Sequence, residues 1–179
     1  IMRYKPYSNR WQNWDYSNSA HYFVTICTEN RECFLGEIHN KEMILSESGE
    51  IVTSIFLEIP NKFDFAHIST FVVMPNHFHT ILTITQSTES TTKVLSENDN
   101  TYYMGGFAGD KNPLLNKNLG HIIHWFKGRC TYEIRKRGFP FQWQANYHDH
   151  IIRNSDEYFS IYQYIQNNPQ HWEEDSLNT

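Results

Sequence analysis

Two histidines flank a phenylalanine in the stretch Phe71-Val72-Val73-Met74-Pro75-Asn76-His77-Phe78-His79-Thr80-Ile81-Leu82-Thr83-Ile84. It reads as a strand, a Pro-Asn turn and a second strand. Side chains alternate along a strand, so His77 and His79 project to one face with Ile81 and Thr83. Phe78, Thr80, Leu82 and Ile84 take the other face and can enter a core. Two imidazoles at i and i+2 on a rigid strand can grip one divalent cation from one side. Imidazole suits several metals, so the choice rests on the remaining ligands. The chain has 10 histidines in 179 residues, so chance is a competing explanation of one H-x-H. A cupin also carries H-x-H on a strand, but wants a Glu a few residues later. Here the next acid is Glu89.

A second group that can do chemistry stands near the end, in Tyr162-Gln163-Tyr164-Ile165-Gln166-Asn167-Asn168-Pro169. Tyr164 and Asn168 are four apart and share a helix face, which can set a phenol nucleophile beside an amide ligand. Tyr162 and Gln166 have the same spacing and are a rival pair. Tyr158 has no amide four residues on. By spacing alone, Tyr164 reads more simply as an ordinary partly exposed aromatic and Asn168 as a C-terminal capping residue.

These residues need elements to hold them. Tyr22 to Thr28 is β-rich and reads as a first, central strand. A small hairpin follows Gly36, turning at Asn40-Lys41. Ser46 is the expected N-cap of a helix running to about Ile59, where Pro60-Asn61 ends it. Ile68 to Met74 and Phe78 to Ile84 pair antiparallel. Leu119, Ile122, Ile123, Phe126, Cys130 and Ile134 form a helical stripe that Gly138 terminates. His150 to Arg153 is a short strand. Ser155 is expected to cap a last helix, with Tyr158, Ile161, Tyr162 and Ile165 facing inward and Pro169 stopping it near Asn168. The order implies an α+β fold: an antiparallel sheet with helices packed mainly on one face. We expect a single domain over residues 1–179, with a flexible arm (about 1–16) and a flexible Ser/Thr/Asn/Gly-rich insertion (about 86–112).

Net charge is −5, which argues against a general polyanion binder. The charge is uneven, however. Arg3, Lys5 and Arg10 meet no acid in residues 1–14. Lys127, Arg129, Arg135, Lys136 and Arg137 face only Glu133 in residues 121–138. Lys127, Arg129 and Arg153 are the candidate phosphate contacts, with solvated helix and loop charge as an equal alternative. His121, His124, His148 and His150 are more simply polar surface or core-edge groups than ligands. No apolar run approaches the roughly 18 residues of a membrane span, and no secretory leader is visible. Cys27, Cys33 and Cys130 are odd in number and lack C-x-x-C spacing, which fits reduced thiols and a cytoplasmic protein.

The motif at 71–79 together with Tyr-Ile-Gln-Asn-Asn-Pro at 164–169 resembles the single-tyrosine HUH transposases, closest to the REP-associated tyrosine transposases and their insertion-sequence relatives. Residues 22–28, 119–127 and 143–153 add matching texture. The resemblance covers roughly residues 15–172, apart from the insertion. Relatives often continue Asn-Pro with small residues, where this chain has Gln170-His171-Trp172. The resemblance implies a ferredoxin-like or RRM-like sheet with H-x-H on a central strand, His77 and His79 as metal ligands and Tyr164 as nucleophile. Asn168 takes the place of the residue that completes the metal site, with Gln166 as its rival. It further implies Mg²⁺ or Mn²⁺ as cofactor and hairpin-bearing single-stranded DNA as partner. The expected activity is cleavage and strand transfer through a 5′-phosphotyrosine. A non-catalytic single-strand-binding regulator on the same scaffold is the alternative. Monomer and homodimer are both compatible with the resemblance.

Overall fold

The computed structural model describes residues 18–85 and 118–178. The expected N-terminal arm (1–16) and insertion (86–112) lie outside the described residues.

The first strand, β1 (Ala20–Cys27), is followed by a 3-10 turn at Glu29–Arg31 and a hairpin of β2 (Gly36–His39) and β3 (Glu42–Leu45). Asn40 and Lys41 both have positive φ, 50° and 67°, the backbone a two-residue hairpin turn demands. Then come α1 (Glu47–Leu57), α2 (Ile59–Lys62), β4 (Ala66–Met74), β5 (His77–Ile84), α3 (Leu119–Lys136), β6 (His148–Ile152) and α4 (Ser155–Asn167). The main sheet among the described residues has the order β4-β5-β1-β6, with every neighbouring pair antiparallel. With α1 and α3 as crossovers this is the ferredoxin-like arrangement. It places β1 and β5 at the centre, as expected.

Strand alternation divides the sheet into two unlike faces. Tyr22, Val24 and Ile26 of β1 and Phe78 and Leu82 of β5 join α1 and α3 in the main core. Phe56 of α1 and Phe126 of α3 meet Phe78 with ring centroids 4.6 and 5.4 Å apart, close enough for edge contacts to add to the burial. The opposite face carries α4, whose Ile165 packs with Ile81 and Ile152 in a much smaller cluster. Two long helices therefore share one face, and the third lies on the face of the histidine pair.

Local details differ from expectation in three places. The helix after Ser46 ends at Leu57, and Pro60 sits in the first turn of α2, where its missing N–H costs nothing. Asn154, not Ser155, caps α4, its side chain accepting from the Glu157 N–H. Tyr162 is 37% exposed instead of packed inward. The last helix stops at Asn167, as expected; Asn168 still has helical φ/ψ (−54°, −43°), and the chain continues as a 3-10 segment, Asn168–Glu174. Asn168 is buried, at 2% exposure. Cys27, Cys33 and Cys130 are unpaired among the described residues. No described helix is long and apolar enough to cross a membrane.

Candidate metal and tyrosine site

The period-2 geometry of β5 sends His77 and His79 out together, with ring centroids 4.5 Å apart. Both are almost completely buried. Each ring is held at Nδ1. His77 Nδ1 lies 2.8 Å from Asn76 Oδ1, and His79 Nδ1 lies 2.8 Å from Thr25 Oγ1, which strand register sets directly opposite on β1. Both Nε2 atoms are thereby left to face the space under α4.

What brings α4 there is Ile165, fully buried against Ile81 and Ile152. With that residue anchored, helical spacing sets Tyr164 and Asn168 at the histidines. The Tyr164 hydroxyl is 3.4 Å from His79 Nε2 of the same chain, and its ring meets Phe23 edge-on at 6.1 Å. The rival pair is engaged elsewhere: Tyr162 stacks on Tyr158, and Gln166 Nε2 donates to Thr70 Oγ1 at 2.7 Å.

A third group arrives from the 3-10 segment after Asn168. Asp175 Oδ2 lies 3.7 Å from His77 Nε2, and ligand atoms of His77, His79 and Asp175 all fall within 4.8 Å of one another. The other oxygen, Oδ1, accepts from the Leu177 N–H, which fixes the carboxylate's aim. The segment itself is tied down by Arg31 Nη1 donating to the Ser176 carbonyl at 2.9 Å and Asn76 Nδ2 to the Leu177 carbonyl at 2.8 Å. Reading the sequence missed Asp175. It is the last of three consecutive acids, and nothing local separates it from Glu173 and Glu174.

The electrostatics are those of a buried site. Burial pushes the His77 imidazole down to about 4 from its ordinary 6.5, opposed by the Asp175 carboxylate and the Asn168 amide and reinforced by Arg31. Burial, then the neighbouring His77, holds His79 well below its usual value. Burial and Asp175 raise the Tyr164 phenol, with Asn168 acting the other way. Neutral imidazoles are the form in which histidine ligates metal. Three buried atoms here, His77 Nε2, Asn168 Oδ1 and Asp175 Oδ2, have no hydrogen-bond partner. Buried polar atoms are rarely left so. A cluster of nitrogen and oxygen donors converging without a hydrogen to share fits a divalent cation.

Beside Tyr164 opens a cleft of about 600 Å³, lined also by Ser160, Gln163, Asn167 and His171. A larger groove of about 1180 Å³ runs along α3, where it contains none of these groups. The three candidate phosphate contacts are scattered. Lys127 is half-buried on α3, its ammonium donating to the carbonyls of Gln144 and Ala145 at 2.6 and 3.0 Å. Arg129, also on α3, pairs with Glu133 at 3.1 Å. Arg153 lies near the first turn of α4, on Tyr164's side of the sheet.

No protein-family model matches the chain. It is 36% identical over 171 residues to an uncharacterized protein of Haemophilus influenzae strain Rd, covering 95% of this chain and 91% of that protein. Among solved structures it is similar to a REP-associated tyrosine transposase bound to a REP hairpin. The TM-score is 0.58 at 17% identity, over 96% of this chain and 74% of that one. The chain therefore belongs to one family with the Haemophilus influenzae protein, and its fold, a four-stranded antiparallel sheet with helices packed against it, is similar to that of the REP-associated tyrosine transposase.

Proposed function

We propose that the protein cleaves and rejoins single-stranded DNA through a tyrosine of α4, acting as a single-tyrosine HUH transposase or endonuclease on hairpin-forming DNA. The observation that carries this reading is the Tyr164 hydroxyl, 3.4 Å from His79 Nε2, beside three unpartnered buried donor atoms. His77, His79 and Asp175, with Asn168 alongside, would hold a Mg²⁺ or Mn²⁺ ion, whose charge would polarise the scissile phosphate and offset charge developing on it. The Tyr164 oxygen attacks phosphorus in line. The Oη–P bond forms as the P–O3′ bond breaks, leaving a 5′-phosphotyrosine; the phenol gives up its proton to solvent, and the departing oxygen takes one up to become a free 3′-OH. The phosphodiester energy is kept in the covalent bond, so a 3′-OH can reverse the step or join a new strand without ATP.

Each neighbour has a task in that step. Ile165 locks the helix, so the phenol is presented and not searched for. Phe23 holds the Tyr164 ring from the side. The raised phenol makes activation necessary, because an un-ionised tyrosine is a weak nucleophile. Arg153 is the basic candidate for backbone phosphates on Tyr164's side. Lys127 and Arg129 lie across the sheet, so a strand touching all three would have to pass round the β6 edge.

The test is a denaturing gel of the protein with Mn²⁺ and labelled hairpin-bearing single strands. A covalent adduct is expected from the wild type and none from Tyr164→Phe, with Tyr162→Phe close to wild type. An adduct that survives Tyr164→Phe and disappears in Tyr162→Phe would overturn the assignment. The raised phenol and the net charge of −5 favour one other reading, a regulator that binds single strands without cutting. Strand binding with no adduct under any divalent metal would select it.

A further inference from the structure

We propose that Asn76 is a positioning residue that sets the tautomer of His77 and clips the segment bearing Asp175 to it, so that two ligands are aimed by one side chain. This rests on the metal reading above. Asn76 occupies the β4–β5 turn, where asparagine is usually explained by a positive φ. Its φ is not positive, so the backbone does not require this residue type. The side chain is fully buried and both ends are used. Nδ2 donates to the Leu177 carbonyl at 2.8 Å, and Oδ1 lies 2.8 Å from His77 Nδ1.

The chemistry of those partners leaves no freedom. A backbone carbonyl only accepts, so the amide's NH₂ must face Leu177 and its oxygen must face the imidazole. That oxygen only accepts as well, so His77 carries its hydrogen on Nδ1. A neutral ring then has its lone pair on Nε2, the atom 3.7 Å from Asp175 Oδ2. His79 has no such constraint, because the Thr25 hydroxyl at its Nδ1 can donate or accept. Asn76 is itself held, its carbonyl accepting from the Thr28 N–H at 2.9 Å. The chain from Thr28 through Asn76 to Leu177 thus ties β1, the histidine strand and the tail together. Asp175 is two residues before the clipped carbonyl, so its reach depends on that bond. Partners behind a ligating histidine set its ring and tautomer in this way.

The experiment uses full-length protein and two readouts. The ¹⁵N shifts of the His77 imidazole in metal-free protein report the tautomer, and calorimetric titration with Mn²⁺ alone reports affinity. Wild type is expected to show hydrogen on Nδ1. Asn76→Ala is expected to lose that preference and to bind Mn²⁺ about 10- to 100-fold more weakly. Asn76→Asp keeps an oxygen for His77 but no N–H for Leu177. It is expected to keep the tautomer and still weaken Mn²⁺ binding, and it carries the test should Asn76→Ala not fold. In an Asp175→Ala background, Asn76→Asp should cost less than threefold, since the tail no longer bears a ligand. An equal loss in both backgrounds would mean a merely structural role and overturn the proposal. So would a folded Asn76→Ala with the wild-type tautomer and affinity. Wild-type protein that takes up no Mn²⁺ would overturn the metal reading and the clip with it, whereas uptake indifferent to Asn76 overturns the clip alone.

Discussion

The same four strands present two faces that are built on opposite principles. Toward α1 and α3, β1 and β5 offer Tyr22, Val24, Ile26, Phe78 and Leu82, packed around Phe56 and Phe126 with hardly an exposed atom. Toward α4 the same strands offer Thr25, His77 and His79, buried just as deeply but polar, and the apolar cluster shrinks to Ile81, Ile152 and Ile165. Burying an apolar side chain contributes roughly 1.5–3 kcal/mol, and burying an unpaired polar group costs a comparable amount. The first face therefore supplies stability that the second consumes. A site with unpartnered atoms can persist only because the reverse side of each strand is so well packed.

That contrast can be broken from either side. On the apolar face, Phe78→Ala removes the ring at the centre of the aromatic cluster, and about 3–5 kcal/mol of stability should go with it. On the polar face, Tyr164→Phe deletes a hydroxyl on a residue 47% exposed and should change stability by less than about 0.5 kcal/mol, while removing the covalent adduct entirely. Urea unfolding of both variants beside the adduct gel checks the pair. A large stability loss in Tyr164→Phe would mean that α4 is held by its tyrosine and not by Ile165.

Acid should attack the polar face first. The His77 value of about 4 in the folded protein lies below its ordinary 6.5, and His79 is displaced in the same direction. Between those values the unfolded chain binds more protons than the native one, so stability rises with pH across the window. This contribution is complete above about pH 6.5 and is lost as pH falls toward 4. Urea midpoints measured in metal-free protein at pH 7, 5.5 and 4.5 should fall in that order. Replacing His77 with Gln should flatten the slope, and an unchanged slope would place the titration elsewhere.

A smaller effect distinguishes two uses of charge. Lys127 donates to two carbonyls of the 144–145 stretch, and Arg129 is paired on the solvent side of the same helix. Lys127→Met should cost about 2 kcal/mol, the scale of charge-assisted hydrogen bonds, with the salt dependence of strand binding unchanged. A variant that keeps its stability but loses about one unit of salt slope would make Lys127 a phosphate contact after all.

Much of this architecture is legible without coordinates, because the signals are local. The alternation in β5 separates His77 and His79 from Phe78 within three residues, and the stripe from Leu119 to Ile134 follows from helical period alone. The errors occur where a local rule meets a distant partner. Tyr162 reads as inward because a stripe gives a helix one apolar side, yet α4 packs through Ile165 with Tyr158 and Ile161 beside it and leaves that ring 37% exposed. Lys127 reads as a phosphate contact or, equally, a solvated charge, since nothing in its neighbourhood announces carbonyls 17 and 18 residues away.

The sequence by itself determined the strand with its paired imidazoles, the helix with its tyrosine one turn from an amide, and the elements that carry them. Those depend on periods of two and 3.6 residues, which are properties of short segments. Only the tertiary structure decided that α4 crosses the histidine face, that Asp175 and not its acidic neighbours reaches His77, and that Asn76 joins them. These depend on which distant backbone groups are brought within 3 or 4 Å once both faces are packed. No residue type or spacing records that in advance.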